Sequence, residues 1–290
     1  MITVLSDERV FLNFGPMQMM LVASSKTRRF TQELQEAANY AITILEDLAK
    51  VIDRAKNVKT VNDPHTAEGP LPLRLMVESV KATGDETLTP MAAVAGTFSD
   101  LVADWLVAKG ATKVMINNGG DIAVRLLMDE ETKVGLTPSI GAPSFTHVLP
   151  ISSEDGIGGI ATSGLGGRSF TKGIASAVTV LASTARVADS CATLIANHCY
   201  ADDPGIVRVP AEILDPNTDI PGHLVTTKVE NIKAETKRLA LLNALAKAEE
   251  LKSRGVILGA VIFVDDLVAM IPDGLCYQVN SKEVNENGNP

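Results

Sequence analysis

Apolar residues recur along this chain with two different periods, and the switches between those periods divide it into elements. Residues 2–24 mix β-branched and other apolar side chains around Gly15-Pro16, which predicts two strands joined near Phe14-Gly15-Pro16 as a hairpin. From Thr31 the positions Leu34, Ala38, Ala41, Leu45, Leu48 and Ile52 step by four and three, so a long helix presents one apolar face to a sheet. Residues 57–72 lose this periodicity, carry Asn62-Asp63-Pro64 and Gly69-Pro70, and read as a surface connection. A second helix opens at Thr89-Pro90 and runs to Lys109, with Gly110 as its stop and Val94, Leu101 and Trp105 on its core face.

Strands are then predicted over residues 113–116 and 122–127, on either side of Asn117-Asn118-Gly119-Gly120-Asp121. A glycine-rich loop leads to a strand over 177–181 and a helix over 184–197. The remainder reads as a turn-rich stretch with Asn217 and Pro221, a strand at 224–229, a helix at 234–254 closed by Gly255, and a buried strand at 256–264. Residues 285–290 read as a frayed tail. Helices and hairpins alternate irregularly, which favours an α+β class over a doubly wound sheet. We expect residues 1–290 to form one unit, with 201–290 as its C-terminal strand-helix-strand extension.

Length and composition narrow the function classes. A chain of 290 residues with 46% hydrophobic and 21% charged side chains can bury a substantial core. Its formal charge of −9 disfavours a nucleic-acid backbone or an anionic membrane surface as partner, while leaving a small anionic ligand feasible. The N-terminus places Asp7, Glu8 and Arg9 where a signal peptide has its apolar stretch, and the run 256–264 is about half the length of a membrane span. The three cysteines lack C-x-x-C spacing and fit a reducing compartment. We expect a cytoplasmic protein.

Three places could carry chemistry. In Asn117-Asn118-Gly119-Gly120-Asp121, two glycines let backbone N–H groups approach an anion or a flat ring, and Asp121 can accept from a ribose or an amine; a plain tight turn explains the same residues. Residues 156–173 hold seven glycines with Thr162, Ser163, Gly164, Arg168, Ser169, Thr171 and Lys172, suited to wrapping phosphates, and equally readable as a flexible surface loop. Asp189 and Thr193 lie one turn apart on an alanine-rich helix and offer hard oxygen donors for Mg²⁺, although such a pair is commonly just solvated. His198, Cys199, Met17, Met19 and Met20 read as packing or surface residues. The four histidines show no metal-binding spacing, and neither a G-x-S-x-G elbow nor a G-x-G-x-x-G turn is present.

Taken in order, these elements resemble the ApbE-like superfamily, whose named members are FAD:protein FMN transferases. The resemblance starts at Phe14-Gly15-Pro16-Met17 and strengthens from Ala95-Gly96 through Val114-Met-Ile-Asn-Asn-Gly-Gly-Asp-Ile. It returns at Ala161-Thr162-Ser163-Gly164 and at Ala188-Asp189-x-x-x-Thr193, and so covers about residues 10–200. It implies a T-fold-related α+β fold of mixed sheets packed with long helices. It further implies Mg²⁺ on Asp189 and Thr193, with a main-chain oxygen near Ala92 or Ala93, and FAD as ligand or substrate with its adenosine against Asn117, Asn118, Gly119, Gly120 and Asp121. Thr162 and Gly164 would join that cofactor site, and an acceptor protein follows if FMN is transferred.

The chain departs from the family pattern where a histidine precedes Asp-Pro: Arg168-Ser-Phe-Thr-Lys-Gly occupies that stretch, and Ala95 stands where the family has Lys or Glu. Ser163, Arg168 and Lys172 are then the candidates for anion-binding or nucleophilic roles. Three readings stay open: FMN transfer or cleavage of the FAD diphosphate, a non-catalytic flavin-binding module, and an enzyme for a small phosphorylated or carboxylate metabolite.

Overall fold

The computed structural model describes residues 1–26 and 28–279; the predicted frayed tail lies outside them. The N-terminal segment holds three strands rather than two: β1 (Ile2–Ser6), β2 (Arg9–Phe14) and β3 (Met17–Ser24) form a meander. The overlooked turn is at Asp7-Glu8, where two charged residues break the apolar run. Helix α1 (Thr31–Ala49) buries Leu34, Ala38, Ala41 and Leu48 as their spacing requires, and the short α2 (Ile52–Ala55) follows it. The surface connection contains two single-turn 3₁₀ segments, each opened by a side chain: Asn57 accepts from the Lys59 N–H and Asp63 from the His65 N–H, both at 2.9 Å. Sequence reading passed over α3 (Leu71–Thr83), although Leu73, Met76, Val77 and Val80 repeat at helical spacing and are buried.

A 3₁₀ turn at Pro90–Ala93 leads into α4 (Val94–Ala108). Then come β4 (Lys113–Asn118), β5 (Asp121–Leu126), β6 (Glu131–Leu136), β7 (His147–Ser152), β8 (Gly159–Ser163), β9 (Ala177–Ala182) and α5 (Ala185–His198). The C-terminal part supplies β10 (Ile206–Pro210), α6 (Ala211–Leu214), β11 (Leu224–Val229), α7 (Ala234–Ser253), β12 (Gly259–Val264), β13 (Leu267–Ile271) and β14 (Tyr277–Gln278). It is richer than a strand-helix-strand extension.

Nine strands make one sheet in the order β1-β2-β3-β4-β5-β8-β9-β12-β13, with antiparallel pairing throughout. A three-stranded sheet, β14-β7-β6, covers one face, and the long helices cover the other. This layering explains why β12 reads as an unbroken apolar run: Ala260, Ile262 and Val264 join the helix-side core while Val261 and Phe263 join the core under the small sheet. The most membrane-like helical stretch by length and composition is 90–108, not 256–264, and over half of it is packed inside the protein. It also carries Asp100, whose burial is described below.

Candidate functional site

A cavity of about 880 Å³ opens where α4, α5, the β4–β5 hairpin and the end of β8 meet. Its lining includes Asn117, Asn118, Gly119, Gly120, Asp121, Thr162, Ser163, Gly164, Arg168, Ser169, Lys172, Asp189 and Thr193, whereas Thr171 is buried outside it, its Oγ1 accepting from the Gly173 N–H at 3.2 Å. The hairpin is a tight turn and a cavity wall at once. Asn118 pairs with Asp121 across a two-residue loop, and Gly119 and Gly120 have φ of 73° and 111°, a backbone that side chains with a Cβ adopt only under strain. The Asn117 Oδ1 accepts from the Gly120 N–H at 2.9 Å. Arg168 lies over Gly119 and donates to the Pro16 carbonyl at 3.2 Å and to Gln18 Oε1 at 2.6 Å, fastening its loop to the β2–β3 turn.

The glycine-rich stretch 156–173 is not one loop, because β8 runs through it. Gly158 and Gly159 touch the backbone of Ser183, Thr184 and Ala185, and Gly173 touches that of Ala196; a Cβ at any of them would sit about 2 Å from main-chain atoms. These three glycines let β8 and its flanks approach α5. Only the 164–170 segment, with Gly166 and Gly167 exposed, is left to wrap a ligand. Thr162 Oγ1 is hydrogen-bonded to Thr179 Oγ1 at 2.9 Å across the β8–β9 pair.

On α5 the residues Asp189, Thr193 and Asn197 recur every four positions and all line the cavity. Asp189 is half-buried at the cavity wall. It accepts from the Gly96 N–H at 2.9 Å and from the Ala95 N–H, at the N-terminal turn of α4. Gly96 permits this arrangement, since a Cβ there would meet the Ala185 carbonyl oxygen at 2.3 Å. Burial raises the Asp189 pKa well above the usual range, the nearby Asp121 carboxylate raises it further, and the two amides only partly offset this. Asp121 is itself pushed up to about 7 by burial, against the lowering effects of the Thr162 N–H and Arg168. The Asp121 carboxylate thus faces Asp189 electrostatically. The open edge expected to meet an adenosine is formed by the hairpin glycines.

Two half-buried carboxylates repelling each other, with the Thr193 hydroxyl one helical turn from Asp189, are a set of hard oxygen donors that a divalent cation could use. No group of three or more His, Cys, Asp or Glu side chains is arranged to hold a metal among the described residues. Ala92 borders the cavity; the Ala93 carbonyl is already engaged by Thr97 Oγ1 at 2.6 Å.

The site rests on a polar brace that sequence reading missed. Asp100 of α4, fully buried, accepts from the N–H groups of Ala185 and Arg186 at 3.0 Å, capping α5, and pairs with Arg125 at 2.9 Å and Arg186 at 3.1 Å. Arg125 also binds Asp104 at 2.7 Å and the Gly158 carbonyl at 2.8 Å, so α4, β5, β8 and α5 are locked together. A second omission is the wall made by Asp215, Asn217, Thr218, Asp219 and Ile220, between α6 and β11. Thr89 Oγ1 donates to Asp219 and Lys56 to the Asn217 carbonyl, which fix that wall to the body. His198 and Cys199 end α5 away from this chemistry: His198 Nδ1 contacts the Leu194 carbonyl at 3.0 Å, and Cys199 is buried. Met19 is core, whereas Met17 is buried and also borders the cavity.

Residues 2–273 match the family model described as "AbpE bacteria". A UPF0280 protein of Methanothermobacter thermautotrophicus is 39% identical over 137 residues, covering 47% of this chain and 52% of that protein. Another, from Methanococcus vannielii, is 32% identical over 185 residues, covering 62% and 73%. The chain spans about half the length of several curated relatives it matches. Among solved structures, the apo form of the Pseudomonas stutzeri flavinyl transferase ApbE superposes with a TM-score of 0.50 at 13% identity, covering 92% of this chain and 97% of that one, a likeness of fold. The match over residues 2–273 places the chain in the AbpE bacteria family, and the Pseudomonas stutzeri structure shares its fold.

Proposed function

We propose that the cavity binds FAD or a similar phosphorylated ligand in a Mg²⁺-dependent manner and cleaves its diphosphate, delivering FMN to a hydroxyl acceptor. One observation carries this reading: the half-buried Asp189 and Asp121 place two mutually repelling carboxylates in a cavity that has no basic side chain in ion-pair contact with either among the described residues. Asp189 and Thr193 would hold the ion. When bound, Mg²⁺ would neutralise the diphosphate and the charge that develops on departing AMP.

The chain's own groups set the rest. Gly119 and Gly120 offer an edge without side chains to the nucleoside, and Arg168, immobilised by Pro16 and Gln18, places a fixed positive charge beside that edge. Ser163, at the end of β8, lines the cavity close to the loop. In the reaction, an acceptor oxygen bonds to the FMN phosphorus as the bond to the AMP phosphate breaks, and the acceptor proton leaves to solvent. The acceptor is a Ser or Thr hydroxyl of a partner protein, or water. The three cysteines are buried and free, which fits a reducing, cytoplasmic setting.

The test is AMP release from FAD with and without Mg²⁺. Wild type should form AMP only with Mg²⁺, and Asp189→Ala should not; AMP formation unaffected by that substitution rules out the assignment. FAD binding without AMP release, whichever acceptor is supplied, would instead support the flavin-binding module.

A further inference from the structure

Three cations line the cavity: Lys56, Arg168 and Lys172. The first donates to the Asn217 carbonyl, and the second to Pro16 and Gln18. Lys172 differs: its ammonium makes no hydrogen bond and no ion pair among the described residues, although the residue is half-buried. Its main chain, by contrast, is clamped. The Lys172 N–H donates to Asn197 Oδ1 at 2.9 Å, the Lys172 carbonyl accepts from Thr226 Oγ1 at 3.3 Å, and the Thr226 N–H donates to the Thr171 carbonyl at 2.9 Å. The main chain is thus anchored at the cavity wall while the ammonium, among the described residues, has no contact partner, a state that an anionic ligand would relieve.

Its location gives that anion a place. Asn197 follows Asp189 by eight residues on α5, a separation of about 12 Å at the helical rise. The Lys172 end of the cavity thus offers an ammonium without a contact partner among the described residues, about 12 Å along α5 from the Asp189 carboxylate. We propose that Lys172 anchors a second anionic group, a phosphate or a carboxylate, on a ligand whose first phosphate lies at the Asp189 end. This extends the reading above and rests on it only for the first phosphate. The ligand class that follows is an elongated molecule acidic at two separated points, more than a lone diphosphate offers.

Supporting this, desolvation lowers the Lys172 pKa, and the surrounding charges are mixed: Asp85 and Asp219 favour the ammonium, while Arg208 opposes it. These come from the loop after α3, β10 and the wall before β11, so the end of the cavity is built largely by the C-terminal part of the chain.

The test titrates inorganic phosphate and, separately, succinate into Mg²⁺-free protein by calorimetry, using wild type, Lys172→Met, Lys172→Arg and Asp189→Asn. Wild type should bind at least one probe at millimolar concentration, Lys172→Met should weaken it by about tenfold or more, and Lys172→Arg should largely restore it. Asp189→Asn should leave it unchanged or tighter. The probe bound more strongly identifies phosphate or carboxylate as the group. Should Lys172→Met unfold, labelling of wild-type Lys172 by an amine reagent, read by peptide mass, should slow in the presence of the bound probe. Equal binding by a folded Lys172→Met variant, no binding by wild type, or unprotected labelling overturns the proposal. Failure of FAD cleavage with these results intact would reject the flavin reading and leave the anion site standing.

Discussion

Asp100 and Asp189 are both aspartates at the junction of α4 and α5 and both accept backbone N–H groups from the other helix, Asp100 fully buried and Asp189 half-buried. They differ in what neutralises them. Asp100 has two guanidinium partners at 2.9 and 3.1 Å and is complete within the chain. Asp189 has two amides and a second carboxylate, so its charge is answered only in part. The contrast separates a carboxylate whose charge is balanced within the chain from one whose charge is answered only by amides and opposed by a second carboxylate.

The largest effect that can break this contrast is expected at Asp100. Its replacement by Ala strands Arg125 and Arg186 and uncaps α5, and should lower unfolding free energy by about 3–5 kcal/mol in urea melts, with or without Mg²⁺. Asp189→Asn should leave the metal-free protein as stable as wild type or more so. A loss at Asp189 matching that at Asp100 would erase the distinction.

Next comes Gly96→Ala. The new methyl group would press on the Ala185 carbonyl, which sits 2.3 Å from its ideal position, and move the N–H that binds Asp189. A cost of about 1–3 kcal/mol is expected, together with a weaker stabilisation by Mg²⁺ than in wild type. An unchanged melt would show that the two helices are not closely packed there.

A smaller effect concerns pH. Asp121 is pushed up to about 7, and Asp189 is raised in the same direction, from an ordinary value of 3.8. The native pair therefore holds protons more tightly than the unfolded chain. Its contribution to stability is complete below about pH 4 and is lost as the pH rises through about 7. Metal-free wild type should lose melting temperature across that window relative to Asp121→Asn, and Mg²⁺ should restore most at the alkaline end. Parallel curves for the two proteins would contradict the coupling. The smallest effect is at Cys199, whose thiol is pushed up to about 12 by burial. Cys199→Ala should cost about 1 kcal/mol or less through lost packing and leave ligand and Mg²⁺ binding untouched.

How far the sequence revealed this arrangement depended on distance along the chain. The helix carrying Asp189 and Thr193 and the Asn-Asn-Gly-Gly-Asp hairpin are local patterns, and they were legible as a four-residue spacing and a turn signal. The partners of Asp100 lie 25 and 86 residues away, so nothing near it announces an ion pair; an aspartate on the buried face of an apolar helix was the available hint. Strand β8 was concealed because Gly158 and Gly159 weaken a strand signal, yet they are needed for close approach to α5. The wall at residues 215–220 looked like any turn, since Asp, Pro and Asn serve turns and ligands equally well. Helix α3 was visible in its periodicity and was lost behind Gly69-Pro70.

Calorimetric titration of Mg²⁺ into the metal-free protein at pH 8, with FAD present and absent, bears most directly on whether the Asp189 carboxylate awaits a cation. The account predicts a single site in wild type, tighter with FAD, that disappears in Asp189→Asn while the variant stays folded. Mg²⁺ binding of equal strength in Asp189→Asn, or none in wild type under either condition, would contradict it.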